Sequence, residues 1–83
     1  MELLYFAWVR ERMGRASERI APPPEVVTVA DLIAWLRARG AVEDAALADA
    51  SRLRAAVDQV FVGLDAPIAG AREIALFPPV TGG

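Results

Sequence analysis

One amphipathic segment near the middle of the chain, residues 28–40, limits the folds that this sequence can adopt. Its apolar residues recur at helical spacing and form one stripe: Val29, Leu32, Ile33 and Leu36. Thr28 and Asp31 have the spacing of a capping box at the start of a helix, and Gly40 is a typical C-terminal stop. The segment therefore predicts one main helix with a single apolar face, which a second layer of structure has to cover.

Segments on both sides of this helix alternate with a period of two residues, as β-strands do. A polar loop is expected at residues 10–14, a weaker second helix at 43–49, and a hairpin turn at Asp58-Gln59. The order of elements predicts an α+β fold in which the helix packs on one face of a sheet. The predicted strands are residues 1–9, 17–20, 55–57, 60–62 and 73–77.

Composition excludes much of the usual catalytic chemistry. The 83 residues are enough for one domain and include no Cys, no His and no Lys. The usual zinc and copper ligands, Ser-His-Asp and Cys-His catalysis, thiol redox chemistry and lysine nucleophiles are therefore missing, and we expect no metal site. Chemistry is left to carboxylates, arginines, hydroxyls and the C-terminal carboxylate, which favours a carrier or a partner protein over an independent enzyme.

Charge and hydrophobicity indicate the kind of partner. The formal net charge of −2 provides no excess of positive charge for binding nucleic acid. The apolar run after Met1 is too short to span a membrane. We therefore expect a cytoplasmic protein that binds neither nucleic acid nor membrane. Hydrophobic residues make up 55% of the chain, which is high for one small core. Part of the apolar surface is expected to contact another protein.

The last seven residues, Phe-Pro-Pro-Val-Thr-Gly-Gly, are unsuited to a core. Glycine has no side chain to bury and loses the most conformational freedom on ordering, and the prolines cannot continue a strand. This composition predicts a folded domain over residues 1–77 and a flexible tail over residues 78–83.

Four stretches carry a resemblance to a known family. They are "YFAWVRE" (residues 5–11), "TVADLIAWL" (28–36), "AAVDQVFV" (55–62) and "FPPVTGG" (77–83). Over nearly its whole length the chain resembles the small subunits of molybdopterin synthase, which are ubiquitin-like sulfur carriers. It departs from the family's usual pattern at Asp58, where Asn is common, and after Gly70, where an acidic pair is common. The resemblance implies the β-grasp fold, with a mixed sheet of four to five strands and one main helix.

The resemblance also implies a function and a set of partners. The carboxylate of Gly83 would be adenylated by an E1-like enzyme that uses ATP, and then converted to a thiocarboxylate. Its sulfur would pass to cyclic pyranopterin monophosphate in the large synthase subunit, within a heterotetramer, to build the molybdopterin dithiolene. No cofactor would be bound by the chain itself. The implied reactive residues are Gly83 and Gly82, and the implied partner contacts are Phe6, Arg10, Phe61, Phe77, Pro78, Pro79, Val80 and Thr81.

Three alternatives remain open at this point. The first is a related sulfur carrier that serves thiazole or cysteine synthesis, since those carriers also end in Gly-Gly. A ubiquitin-like modifier joined to lysines of other proteins is a second alternative. A plain interaction domain whose tail has no role is the third, and it predicts that removal of Gly83 changes nothing.

Overall fold

The structure is a computed structural model that describes residues 1–79, so Val80, Thr81, Gly82 and Gly83 lie outside the described residues. Five strands and three α-helices are present in this part of the chain. In chain order they are β1 (Glu2–Tyr5), α1 (Ala7–Met13), β2 (Ser17–Arg19), α2 (Val29–Arg37), α3 (Ala41–Ala46), β3 (Arg54–Val57), β4 (Val60–Val62) and β5 (Glu73–Phe77), with a 3₁₀ turn at Ala50–Arg52 between α3 and β3.

The strands form one mixed sheet in the order β2-β1-β5-β3-β4. The two central neighbours, β1 and β5, run parallel, and every other pair is antiparallel. This is the β-grasp arrangement, so the prediction of an α+β fold with a mixed sheet is confirmed. Because β5 is central and is the last strand in residues 1–79, the chain continues after Phe77 from the middle of the sheet.

The core lies between one face of the sheet and the apolar stripe of α2. All four predicted stripe residues are buried, and they pack with buried side chains of β1, β5 and α1. Full burial of a side chain of this size stabilises the fold by about 1.5–3 kcal/mol. Trp35 packs at the margin of this core, partly buried. The buried sheet and α1 side chains are Leu3, Tyr5, Val9, Met13, Ala55, Ile74 and Leu76.

The start of α2 is the capping box that the sequence predicts. The Thr28 hydroxyl accepts a hydrogen bond from the Asp31 backbone N–H (3.1 Å), and the Asp31 carboxylate accepts from the backbone N–H of Thr28 (3.1 Å). Hydrogen bonds from the backbone N–H groups of Val27 and Thr28 lower the pKa of Asp31. The predicted end of the helix is wrong, because α2 ends before Gly40, which instead caps the N-terminus of α3.

The prediction of a strand over residues 1–9 followed by a polar loop is wrong. β1 ends at Tyr5, and the backbone turns at Ala7, whose φ is +53°, directly into α1. Val9 and Met13 lie one helical turn apart and are buried, while Gly14 ends the helix with a φ of +78°. The sequence does not reveal this helix, because apolar residues occupy both the odd and the even positions of residues 3–9. A left-handed backbone conformation is usually marked by glycine in a sequence, but here the residue is Ala7.

The β3–β4 turn is confirmed at Asp58-Gln59, where both residues have positive φ (48° and 71°), as a type I′ hairpin turn requires. The Asp58 carboxylate also accepts hydrogen bonds from the backbone N–H groups of Arg72 (2.9 Å) and Glu73 (3.0 Å). One side chain therefore ties the hairpin to the start of the central strand β5.

Replacement of Asp58 by Ala is expected to lower the free energy of unfolding by about 1–2 kcal/mol, because two backbone donors lose their partner and Ala disfavours positive φ. Asp58→Asn keeps an acceptor oxygen and tolerates that φ, so its cost should stay below about 0.5 kcal/mol. Urea unfolding of the three proteins measures both effects. Equal losses for the two variants would contradict this role for the Asp58 oxygen.

A polar cluster joins β1, β2 and the end of α2. The Tyr5 hydroxyl donates to Glu18 (2.6 Å), and Arg39 donates to both Glu18 oxygens (2.9 Å each). These hydrogen bonds from Arg39, together with the one from Tyr5, hold the pKa of Glu18 below its usual range despite partial burial. Burial, and the hydrogen bond to Glu18, raise the pKa of Tyr5 far above its usual value.

This cluster predicts two pH limits on stability. Since the pKa of Glu18 is lower in the folded state, its contribution is present above about pH 4.3 and is lost as pH falls through the folded pKa. Since the pKa of Tyr5 is raised, its contribution is present below about pH 10 and is lost as pH rises further. Glu18→Gln should lower the free energy of unfolding by about 1–2 kcal/mol at pH 7 and weaken the dependence of stability on pH in the acid range. Tyr5→Phe should weaken the dependence of stability on pH in the alkaline range. Thermal melts from about pH 2 to about pH 11 measure both effects. If the melting temperature of the variants depended on pH as that of the wild type does, these roles of Glu18 and Tyr5 would be contradicted.

Candidate functional site

The face of the sheet away from the helices carries an apolar groove. Its volume is about 430 Å³. The groove is lined by Leu4, Phe6, Ala56, Gln59, Phe61, Glu73, Ala75 and Phe77. No helix of residues 1–79 covers it, and its exposed large apolar residues, Phe6 and Phe61, are the kind of apolar surface that the composition of the chain predicts.

The register of the strands explains the shape of the groove. Leu4, Ala75, Ala56 and Phe61 are direct neighbours across β1, β5, β3 and β4, and they point to the same face. The two central positions hold alanines, whose side chains are short, and the outer positions hold larger ones. The centre of the face is therefore hollow, and its walls are apolar.

Three phenylalanines form the walls at one end of the groove. The rings of Phe61 and Phe77 pack against each other with centroids 5.3 Å apart at a tilt of 41°. Phe61 is nevertheless 75% exposed and Phe6 is 48% exposed, values that are unusual for large apolar residues. Since covering apolar surface is favourable by about 25 cal/mol per Å², this end of the groove is suited to bind a complementary apolar surface.

The tail leaves the domain next to these phenylalanines. The Phe6 backbone N–H donates to the carbonyl of Leu76 (3.2 Å), which places Phe6 beside the last residues of β5. Pro78 and Pro79 follow β5 and are partly exposed. A protein that covered the groove would therefore also contact the base of the tail.

The residues predicted as partner contacts fall into three groups. Phe6, Phe61 and Phe77 meet at the groove, although they are distant in the sequence. Arg10 lies exposed on α1, one turn after Phe6, and does not line the groove. The remaining predicted contacts are Pro78 and Pro79 at the base of the tail, and Val80 and Thr81, which with Gly82 and Gly83 lie outside the described residues.

One sequence interpretation of this face is wrong. The predicted strand over residues 1–9 would place Trp8 on the same face as Phe6, but Trp8 lies on α1 and packs against the core. Four residues that line the groove were also not predicted from the sequence: Ala56, Ala75, Gln59 and Glu73. The sequence does contain an alanine at the paired positions of β3 and β5, but these two small residues indicate a hollow only when the register that pairs them is known.

The groups with shifted pKa values do not gather at the groove. Tyr5, Glu18 and Arg39 form the cluster described above, and Asp31 and Asp49 cap local turns. Within residues 1–79, no group of three or more potential ligands is placed to hold a metal ion. No helix in that part of the chain is both long enough and apolar enough to cross a membrane. The residues with shifted pKa values are therefore separate from those that line the groove.

Comparison with known proteins agrees with this geometry. The Escherichia coli K12 molybdopterin synthase sulfur carrier subunit is 42% identical over 84 residues, a match that covers 100% of this chain and 99% of the relative. SAMP1 from Haloferax volcanii has the same fold, with a TM-score of 0.71 and 26% identity over 100% of this chain and 98% of that one. A Pyrococcus furiosus protein described as molybdopterin converting factor, subunit 1, superposes with a TM-score of 0.74 and 26% identity over 95% of each chain.

A family-wide comparison extends the match to the end of the tail. The sequence model of the ThiS family matches residues 3–83, which include β1 from Leu3 onward, the other four strands, the three helices and the terminal Gly-Gly. With this match and a full-length relative at 42% identity, the chain belongs to the ThiS family.

Proposed function

We propose that this protein is the sulfur carrier subunit of a molybdopterin synthase and that Gly83 carries the sulfur. The observation that carries the proposal is the full-length match, at 42% identity, to the Escherichia coli sulfur carrier subunit. The chain's own geometry supports it, because an uncovered apolar groove lies at the point where the tail leaves the central strand. In this role the chain is the non-catalytic subunit of a sulfurtransferase.

The proposed reaction uses the C-terminal carboxylate, one of the reactive groups that the composition leaves. The Gly83 carboxylate attacks the α-phosphorus of ATP on an E1-like enzyme, and pyrophosphate leaves. Hydrosulfide from the sulfur donor then attacks the acyl carbon, the bond from that carbon to the phosphate oxygen breaks, AMP leaves, and loss of the remaining S–H proton gives the thiocarboxylate. ATP belongs to the activating enzyme, and this chain is not expected to bind a cofactor of its own.

The tail has the length and stiffness that the transfer requires. The six residues after Phe77 can extend roughly 20 Å at about 3.3–3.6 Å per residue, enough to enter the active site of another subunit. Pro78 and Pro79 restrict the backbone at the base of the tail and so reduce the entropy lost on docking, about 1–2 kcal/mol per ordered residue. The glycines at the tip allow close approach of the acyl carbon to a partner's catalytic groups.

The groove is the proposed contact with two partner proteins. The large synthase subunit and the E1-like enzyme both have to hold the base of the tail, and the exposed phenylalanine end of the groove lies there. Because one surface would serve both, the two partners are expected to compete for the carrier. Two carriers on a dimer of large subunits would give the heterotetramer, and the proposed site of action is the cytoplasm.

The proposal is tested by mass spectrometry of the intact protein. Incubation with ATP, the E1-like enzyme and a sulfur donor should raise the mass by the difference between one sulfur and one oxygen. Addition of the large subunit and cyclic pyranopterin monophosphate should then return the carrier to its original mass as molybdopterin forms. An unchanged mass, with an activating enzyme shown to work on another carrier, would refute the proposal.

A related sulfur carrier for thiazole or cysteine synthesis is the second candidate, because the family match is to the ThiS family as a whole. The sulfur-loaded protein distinguishes the two. Loss of the added sulfur only with a thiazole-forming or cysteine-forming acceptor enzyme, and not with the large synthase subunit, would favour the second candidate.

A further inference from the structure

The arginines of this chain fall into two classes. Arg15, Arg19, Arg37 and Arg39 each form an ion pair with a carboxylate. Within residues 1–79 the other five form none: Arg10, Arg12, Arg52, Arg54 and Arg72. Because a guanidinium group is always charged at physiological pH, these five carry positive charge with no carboxylate of residues 1–79 at salt-bridge distance.

Four of the five lie on the segments that meet at the tail end of the sheet. Since β1 and β5 are parallel, α1 begins beside the end of β5, and Arg10 and Arg12 lie on it. Arg54 begins β3 and is the register partner of Phe77, and Arg52 precedes it by two residues. We name these four residues, Arg10, Arg12, Arg52 and Arg54, the arginine collar. Arg72 lies at the opposite end of β5.

Contacts within the domain position three members of the collar. The guanidinium carbons of Arg12 and Arg52 lie 4.7 Å and 5.0 Å from the centre of the Trp8 ring. Stacking on an aromatic face leaves the N–H groups at the edge of the guanidinium plane available to acceptors. On the groove side, Arg54 donates to the carbonyl of Leu53 (2.8 Å) and lines a hollow with Phe61 and Phe77.

The collar reverses the charge of the protein locally. The segments that contain it, residues 6–13 and 49–54, hold four arginines and only two carboxylates, Glu11 and Asp49. Asp49 is engaged by the backbone and hydroxyl of Ser51. These two segments are therefore together positive by two charges, on a chain whose formal net charge is −2. A local surplus of this kind steers the approach of a molecule with the opposite charge.

We propose that the arginine collar docks an acidic protein surface that surrounds the entrance through which the tail passes. This inference rests on the proposed function, because it assumes that the tail enters a partner. The occupant is a protein because Arg54 lines a hollow with Phe61 and Phe77, which also form walls of the exposed apolar groove, and an apolar surface with a polar rim is the usual anatomy of a protein–protein interface. The net negative charge of the chain disfavours a nucleic acid as the occupant.

The test is the rate of association between the full-length carrier and its large synthase subunit, measured by stopped flow from about 20 mM to about 500 mM NaCl. The variant Arg12→Glu/Arg52→Glu reverses two collar charges. Arg54→Glu is an independent reversal on the other side of the collar, and Arg12→Lys/Arg52→Lys keeps the charge without the planar group. Arg72→Glu is the matched control, since Arg72 is also without an ion pair in residues 1–79 but lies at the far end of β5.

Association of the wild-type carrier is expected to slow as salt is raised. At low salt the collar reversals should slow it about tenfold and weaken its salt dependence, while the lysine variant and Arg72→Glu should stay within about twofold of wild type. The inference is overturned if Arg72→Glu slows association as much as the collar reversals do, or if wild-type association does not depend on salt. Inhibition by inorganic phosphate at constant ionic strength would also overturn it, because the collar would then be an anion site.

These outcomes are distinguishable from failure of the proposed function. A carrier that never gains sulfur would refute the sulfur-carrier role whatever its association rate. A carrier that gains and delivers sulfur normally, yet associates without electrostatic steering, would refute only the role of the collar.

Discussion

Removal of Gly83 is expected to reduce sulfur delivery by at least about 100-fold without unfolding the protein. Deletion withdraws the terminal carboxylate by about 3.5 Å, and a displacement of even 1 Å in a reacting group can cost about 100-fold in rate. Addition of one Ala after Gly83 should have an effect of the same size, because it moves the carboxylate outward and buries the reactive position within a peptide bond. The measurement is the sulfur gained and then transferred, followed by intact mass.

The deletion is informative because it lies outside the core that the structure describes. Within residues 1–79 the buried core residues lie between Leu3 and Leu76, so the midpoint of thermal unfolding is expected to be the same for the wild type and both tail variants. Normal sulfur gain and transfer by the shortened chain would contradict the role of Gly83. It would favour the alternative in which the tail has no role.

Substitution of Phe61 by Asp is expected to weaken binding to the large synthase subunit by about 30-fold to 1000-fold. Phe61 is the most exposed large apolar residue of the described chain, and it forms the wall of the groove beside the base of the tail. An aromatic side chain in such a position typically contributes about 2–4 kcal/mol to an interface, and a carboxylate there would have to be desolvated. Titration calorimetry with the purified partner measures the loss.

Stability provides the internal control for this variant. Because Phe61 is 75% exposed, its removal should cost little beyond the packing against Phe77, about 0.5–1.5 kcal/mol. Val42→Asp is the matched control, since Val42 is 59% exposed but lies on α3, away from the groove. Equal losses of affinity in the two variants would show that the groove is not the contact surface.

The two experiments test different parts of the proposed mechanism. The Gly83 variants alter the reactive end of the tail and leave the groove intact, so they should bind the large subunit normally. The Phe61 variant alters the groove and leaves the tail intact, so high concentrations of the large subunit should restore sulfur transfer. Rescue of Phe61→Asp, but not of the Gly83 deletion, would separate docking from chemistry.

The sequence alone determined the elements whose causes are local. The capping residues Thr28 and Asp31 and the apolar stripe after them define α2, because a helix is specified by contacts within a few residues. The turn at Asp58-Gln59 and the strand that precedes Pro78 have local causes too. The function of the tail was predicted from the resemblance to a family, and that membership is confirmed, although the roles of individual residues await the tests described above.

Only the tertiary structure decided what depends on contacts between distant segments. The left-handed turn at Ala7, which converts the predicted strand into α1, is stabilised by packing of Val9 and Met13 on the core rather than by any local marker. The groove exists because the sheet register aligns Ala56 with Ala75. The arginine collar likewise requires parallel pairing of β1 and β5, which brings α1 and the start of β3 to the end of the sheet where the tail begins.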